Sequence, residues 1–182
     1  MIVVKRSTRQ GLPVAVETEV RDSRRSDLPA LLEIYNNVVK TSHATFDLDP
    51  QTMAQRKTWF SGHGGRYPLV VAETRGQITG YASLSKFRDK PAYSKTGESS
   101  VYVHKAFQRK GVGTLLMKEI VARAKKFGYH TIIAGIALPN DASLRLHERL
   151  GFEYVGSFKE VGFKFGRWRD VTFYQLLLGE HV

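Results

Sequence analysis

Between positions 101 and 116 a β-prone run, Val101-Tyr102-Val103, feeds a basic turn, Gln108-Arg109-Lys110-Gly111-Val112-Gly113-Thr114, that opens directly into an apolar-periodic helix. A strand-turn-helix unit of this kind commits the chain to a fold in which a helix N-terminus meets the end of a sheet. The first turn of a helix has N–H groups without intrahelical partners, and the peptide dipoles put partial positive charge at the same end. Such a point suits an anion, phosphate or pyrophosphate first of all. Arg109 and Lys110 add mobile charge, and Gly111 and Gly113 let a ligand approach the backbone closely. A P-loop would need two glycines five apart followed by Lys and Ser/Thr, and that string is absent. A dinucleotide fingerprint would need a third glycine where Leu116 stands. On spacing alone, an anion cradle and a plain strand-to-helix turn both stay open.

Composition narrows the classes. The chain has 182 residues, 42% hydrophobic and 25% charged, which fits one ordinary globular domain with a normal core. It contains no cysteine, so disulfides, thiolate catalysis and cysteine-ligated metals are excluded. The 6 histidines are dispersed without metal-ligand spacing, so no metal is expected. No leader peptide and no apolar run long enough to span a bilayer is recognisable, and a cytoplasmic protein with no membrane partner is expected. The net charge of +11 would suit nucleic acid, but the basic residues are scattered with no arginine-rich block. A solvated basic face that attracts small anions is the better reading, and no nucleic-acid partner is expected.

The pattern predicts strands at 2–4 and 14–20, helices over 28–35 and from about 51 to 60, and strands at 69–73 and 78–84. The strand at 98–103 then leads through the glycine turn into a helix over about 113–127. A strand at 131–136, a short helix over 141–150 and two strands near 152–159 and 171–178 follow, the last two bracketing a loop at 162–169. Asp27 is expected to cap the first helix, and Gly151 to end the helix at 141–150. This order is α/β with a mixed sheet.

Downstream of the turn stands Leu138-Pro139-Asn140-Asp141-Ala142-Ser143-Leu144-Arg145-Leu146-His147-Glu148-Arg149-Leu150-Gly151-Phe152. Gln-x-x-Gly-x-Gly followed by Asn-x-x-Ser and Leu-His-Glu-x-Leu-Gly-Phe resembles the GNAT superfamily of acetyl-CoA-dependent N-acetyltransferases. Within it the chain looks most like the phosphinothricin and methionine sulfoximine/sulfone acetyltransferases, over residues 20–178. Ile34-Tyr35-Asn36, Ala44-Thr45-Phe46 and residues 161–170 take part. Residues 1–19 fall outside and are expected to form an N-terminal extension to an acetyltransferase domain at 20–182.

The resemblance implies a mostly antiparallel sheet with one splayed strand, flanked by helices, and a homodimer. It implies acetyl-CoA as co-substrate, its pyrophosphate on residues 108–114 (Gln108, Arg109, Lys110, Gly111, Val112, Gly113 and Thr114). Pantetheine would pair with Val101, Tyr102 and Val103, a strand that the family splays with a bulge, and would reach Asn140 and Ser143. Glu98 matches the position of a proposed base. His147 stands where many relatives carry a tyrosine that protonates the thiolate; a satisfied core histidine is the equal alternative. For a small amine acceptor the resemblance points to Phe46, Phe87, Arg88, Tyr93, Lys164 and Trp168, with Arg88 suited to an oxyanion. Relatives often carry Trp-Arg where this chain has Phe87-Arg88. A polyamine or aminoglycoside acceptor, a protein N-terminus, and a non-catalytic acyl-CoA- or RNA-binding module are the rival readings.

Overall fold

The computed structural model describes residues 17–179. Its strands are β1 (Thr18–Asp22), β2 (Leu69–Thr74), β3 (Gln77–Lys86), β4 (Thr96–Val103), β5 (Thr131–Ala137), β6 (Glu153–Lys164) and β7 (Arg167–Leu177). Helices α1 (Leu28–Thr41) and α2 (Met53–Ser61) precede β2, α3 (Val112–Lys126) joins β4 to β5, and α4 (Asp141–Arg149) follows β5. The seven strands form one sheet in the order β1-β2-β3-β4-β5-β7-β6. The β4–β5 pair is parallel and the others are antiparallel. The strand expected at 2–4, and the first residues of the one expected at 14–20, lie outside the described residues.

Both faces of the sheet are covered. On one, Leu116, Met117, Ile120 and Ala124 of α3 pack on Val70, Ala72, Ala82, Leu84 and Ile132. On the other, Leu31 and Ile34 of α1, with Trp59 and Phe60 of α2, pack on Leu69, Val71 and Tyr81. The start of β2 is therefore apolar on both sides, which is why residues 69–72 read as a continuous run rather than an alternation. Each fully buried aliphatic side chain, such as Leu31 or Ile120, contributes about 2 kcal/mol by leaving water.

Two expectations are corrected. Asp27 makes no side-chain cap to α1. Its carboxylate turns back to accept the Arg24 N–H at 2.7 Å and the Arg21 guanidinium at 2.8 and 2.9 Å. Burial raises the Asp27 carboxyl, but the bonds from Arg21 and Arg24 outweigh it and hold the group below its ordinary range. Residues 162–169 are not a loop. β6 and β7 pair through Gly162↔Arg169, Phe163↔Trp168 and Lys164↔Arg167 up to a tight turn at Phe165 and Gly166. A register shift between Phe158 and Gly162, with Glu160 at a φ of +49°, interrupts the alternation by which a long strand would be recognised.

Candidate active site

β4 and β5 stay together for three register pairs, Thr96↔Thr131, Gly97↔Ile132 and Glu98↔Ile133, and then part. The cleft between them, about 70 Å³, is lined by Ser99, Ser100, Val101 and Tyr102, by residues 134–137, and by Asn140, Ser143 and His147. The β3–β4 ladder runs from Lys86↔Gly97 to Gly80↔Val103 without a register shift, so the bulge that the resemblance implies is absent from it. The split arises because β5 keeps its register with β7, Thr131↔Leu177 through Ala137↔Val171, while β4 follows β3. The His104 N–H bonds the Thr79 carbonyl at 2.9 Å. Because antiparallel bonding alternates, the N–H and C=O groups of Tyr102 and Ser100 also face β3, and those of Val101 and Val103 face the cleft. An extended, amide-bearing chain could pair with that free edge.

The glycine turn closes the open end of the cleft. Gly111 caps α3 in the left-handed region at a φ of +86°, and no side chain caps the helix. The N–H groups of Val112, Gly113 and Thr114 are therefore free for a ligand. A Cβ at Gly113 would meet Leu146 of α4 at 3.4 Å and Val103 at 3.7 Å, so the helix start sits close against both walls. Arg109 and Lys110 are exposed beside it, the Lys110 ammonium over the Phe107 ring at 5.2 Å. Gln108 is used within the protein: its Nε2 donates to the Val103 carbonyl at 3.4 Å.

Glu98 stands at the vertex, half-buried and without a hydrogen-bond partner among the described residues. Burial alone raises its carboxyl above the ordinary carboxylate range. That combination describes a proton acceptor rather than an ion-pair member.

On the far wall Asn140 caps α4, its Oδ1 accepting the Ser143 N–H at 3.2 Å. His147 is 3% exposed and its ring meets Phe152 edge-on at 4.9 Å. Nδ1 donates to the Ser143 carbonyl at 2.8 Å, which puts the neutral ring's proton there and leaves Nε2 a lone pair. Burial lowers the His147 pKa, so the ring is held neutral. In that state it accepts a proton more readily than it supplies one.

The expected acceptor residues fall into three groups. Phe46 and Lys164 meet on the segment 42–52: a Cβ at Gly162 would lie within 2.6 Å of the Phe46 ring, and the buried Lys164 Nζ donates to the Thr45 carbonyl at 2.8 Å. Phe87, Arg88 and Tyr93 form a second cluster, with Arg88 over both rings at 5.2 and 5.9 Å. Trp168 is separate, exposed on β7 against Phe163.

Other polar groups stand around the site. His43 joins the segment 42–52 to the far wall through its Nε2 and the Pro139 carbonyl at 2.8 Å. Tyr35 donates to Asp47 at 2.8 Å. Arg56 of α2 is 1% exposed and stacks over Trp59 at 3.6 Å, flanked by Tyr35 and Tyr81. Helical spacing places Arg56 four residues before Phe60 on the buried face, a signal that a charged residue type conceals. A larger, shallow groove of about 470 Å³ lies at the opposite end of the sheet, where Arg123 pairs with Asp22 and Glu119. Among the described residues no cluster of three or more His, Asp or Glu is arranged to hold a metal, and no helix is long and apolar enough to cross a membrane.

Residues 20–173 match the acetyltransferase (GNAT) domain family. The chain belongs to the GNAT acetyltransferase family. It is an acetyl-CoA-dependent N-acetyltransferase, built on the mixed, mostly antiparallel sheet expected of a GNAT protein. It is 40% identical over 168 residues to the phosphinothricin N-acetyltransferase of Streptomyces coelicolor, covering 90% of this chain and 98% of that one. It is also 40% identical over 165 residues to an L-methionine sulfoximine/L-methionine sulfone acetyltransferase of Pseudomonas paraeruginosa, covering 90% and 96%. The crystal structure of a phosphinothricin acetyltransferase from Sinorhizobium meliloti in complex with acetyl-CoA superposes with a TM-score of 0.87 at 39% identity, over 90% of this chain and 89% of that one.

Proposed function

We propose that this protein acetylates the primary amine of a small amino-acid-like substrate of the phosphinothricin, methionine sulfoximine or methionine sulfone type, by direct attack in a ternary complex. The observation that carries the reading is Glu98, half-buried and unpaired at the point where β4 and β5 part. The pyrophosphate of acetyl-CoA binds the free amides of Val112, Gly113 and Thr114, with Arg109 and Lys110 beside them. Pantetheine lies in the cleft along Val101, Tyr102 and Val103, within reach of Asn140 and Ser143. Glu98, directly or through a water, takes the proton that the attacking amine must lose. The Val103 N–H, which faces the cleft, steadies the oxygen of the tetrahedral intermediate. Collapse breaks the C–S bond, gives the amide, and lets the thiolate take its proton from water at the cleft mouth. His147, with its proton committed to Ser143, shapes the wall.

Arg88, backed by Phe87 and Tyr93, receives the carboxylate or tetrahedral oxyanion of the acceptor. Lys164 holds the segment 42–52 so that Phe46 walls the same side. We assign Trp168, with the exposed Tyr154, Phe158 and Phe163, to a homodimer contact along the β6–β7 ribbon. The donor is a cytosolic metabolite, and the cytoplasm is the compartment we assign. Incubation with acetyl-CoA and each of the three acceptors, following free thiol, tests the reading. Acceptor-dependent thiol release supports it; no release with these acceptors, against release with another amine, overturns the assigned substrate class.

A further inference from the structure

Ser85 and His63 carry no family motif and pair on the face of the sheet that Glu98 shares. Ser85 is the register partner of Glu98 across the β3–β4 ladder. The pair falls on the same alternation as His104 and Thr79, the hydrogen-bonded kind, whose Cα atoms are about 5.5 Å apart and whose side chains share one face. Ser85 Oγ is 3.3 Å from Nε2 of His63, and Nδ1 of His63 is 2.9 Å from the Trp59 carbonyl. The carbonyl can only accept, so the neutral ring carries its proton on Nδ1 and offers a lone pair at Nε2. Ser85 therefore spends its one proton on His63 and turns its own lone pairs, not a donor, toward the rest of its surroundings. The Trp59 ring, tilted against the imidazole at 4.3 Å, holds the arrangement in place.

We propose that His63, acting through Ser85, sets the basicity of Glu98 as a positioning residue of the acetyl transfer. The proposal rests on the reading of Glu98 as the base. While His63 is neutral, no hydroxyl proton is free to stabilise the carboxylate, which stays a strong acceptor. When His63 gains a proton at Nε2, that N–H donates to Ser85 Oγ and the hydroxyl proton becomes free to turn to Glu98. The carboxylate is then stabilised by a hydrogen bond backed by positive charge, and it becomes a weaker base. Among charged groups, Arg56 of α2 bears on His63, and Glu98 of β4 stands beyond it as the register partner of Ser85. Burial first, and then the Arg56 charge, lower the His63 pKa, outweighing the Trp59 carbonyl, so the base-favouring state persists below the ordinary histidine range.

The His63 imidazole titration, followed by NMR in the full chain, tests the link in the native protein and in Glu98→Gln, Ser85→Ala and the double variant. Glu98→Gln removes the charge that favours imidazolium, so the midpoint falls by about half a pH unit or more. With Ser85→Ala present, the same change produces a shift less than half as large. Above its midpoint the ring is the Nδ1–H tautomer. Equal shifts with and without Ser85, no shift at all, or the Nε2–H tautomer would overturn the proposal. In kinetics, Ser85→Ala moves the acid limb of the kcat pH profile and leaves KM for acetyl-CoA unchanged, an outcome that a purely structural role would not produce; an unmoved acid limb counts against the link. If Glu98→Gln keeps full turnover while the NMR coupling holds, the reading of Glu98 as the base has failed and the link to His63 has not.

Discussion

Glu98 and Ile133 form the last register pair that β4 and β5 share, and the cleft lined by Val101, Tyr102, Asn140, Ser143 and His147 opens beyond it. One edge of that opening offers the Val101 and Val103 amides, the other offers Asn140 and His147, and α3 closes the end with free N–H groups. The half-buried Glu98 carboxylate stands at the vertex, the point at which we propose that thioester and amine meet.

The two turn glycines separate by variant. Gly111→Ala must hold a left-handed φ, which destabilises the protein by about 1–2 kcal/mol. Gly113 sits in the first turn of α3, where an added Cβ makes only ordinary contact, so Gly113→Ala is neutral or stabilising by up to about 1 kcal/mol. The same methyl would crowd the proposed anion site. Thermal melts and acetyl-CoA titrations are expected to show Gly113→Ala folding normally while binding acetyl-CoA at least about tenfold more weakly, a loss of about 1.4 kcal/mol.

Gly162→Ala probes the proposed acceptor side. Its Cβ would overlap the Phe46 ring, and the ring belongs to a segment held by the Lys164–Thr45 and His43–Pro139 bonds. The variant is expected to lose about 1–3 kcal/mol of stability. Steady-state kinetics should show a raised KM for the amine and an unchanged KM for acetyl-CoA.

Acidification tests the buried histidines. His63 and His147 both have folded pKa values below the ordinary value of about 6.5. The unfolded chain therefore binds more protons in that range, and stability is full above about pH 6.5 and falls as pH drops from there toward the folded values. His147→Phe should flatten part of that slope in melts recorded from neutral to mildly acid pH. Its kcat at neutral pH should fall by less than tenfold, since loss of a true general acid would remove about 10²–10⁴.

Much of this was legible in the sequence because it is local. The glycine turn, the helix it opens and the Asn140 cap each depend on residues a few positions apart. The same turn, paired with the string from Asn140 to Phe152, carries the family likeness. What escaped depends on register and distance in the chain. Lys164 meets Thr45 across 119 positions, and His63 reaches Ser85 across 22. Neither contact leaves a periodicity to read. The β6–β7 ribbon escapes for a related reason: a bulge near Glu160 shifts the alternation, so one long hairpin reads as two short strands and a loop. Asp27 reads as a cap because a capping residue and an ion-pair partner look alike until Arg21 is placed beside it.

The most direct measurement of the central claim is kcat/KM against pH for the native protein and Glu98→Gln, with saturating acetyl-CoA and a phosphinothricin-type amine. Because burial raises the Glu98 carboxyl, the native acid limb should lie above the ordinary glutamate value of about 4.3. Glu98→Gln should lose about 10²–10⁴ in rate and that limb with it, while still binding acetyl-CoA. Undiminished turnover by Glu98→Gln across the whole pH range would contradict the account.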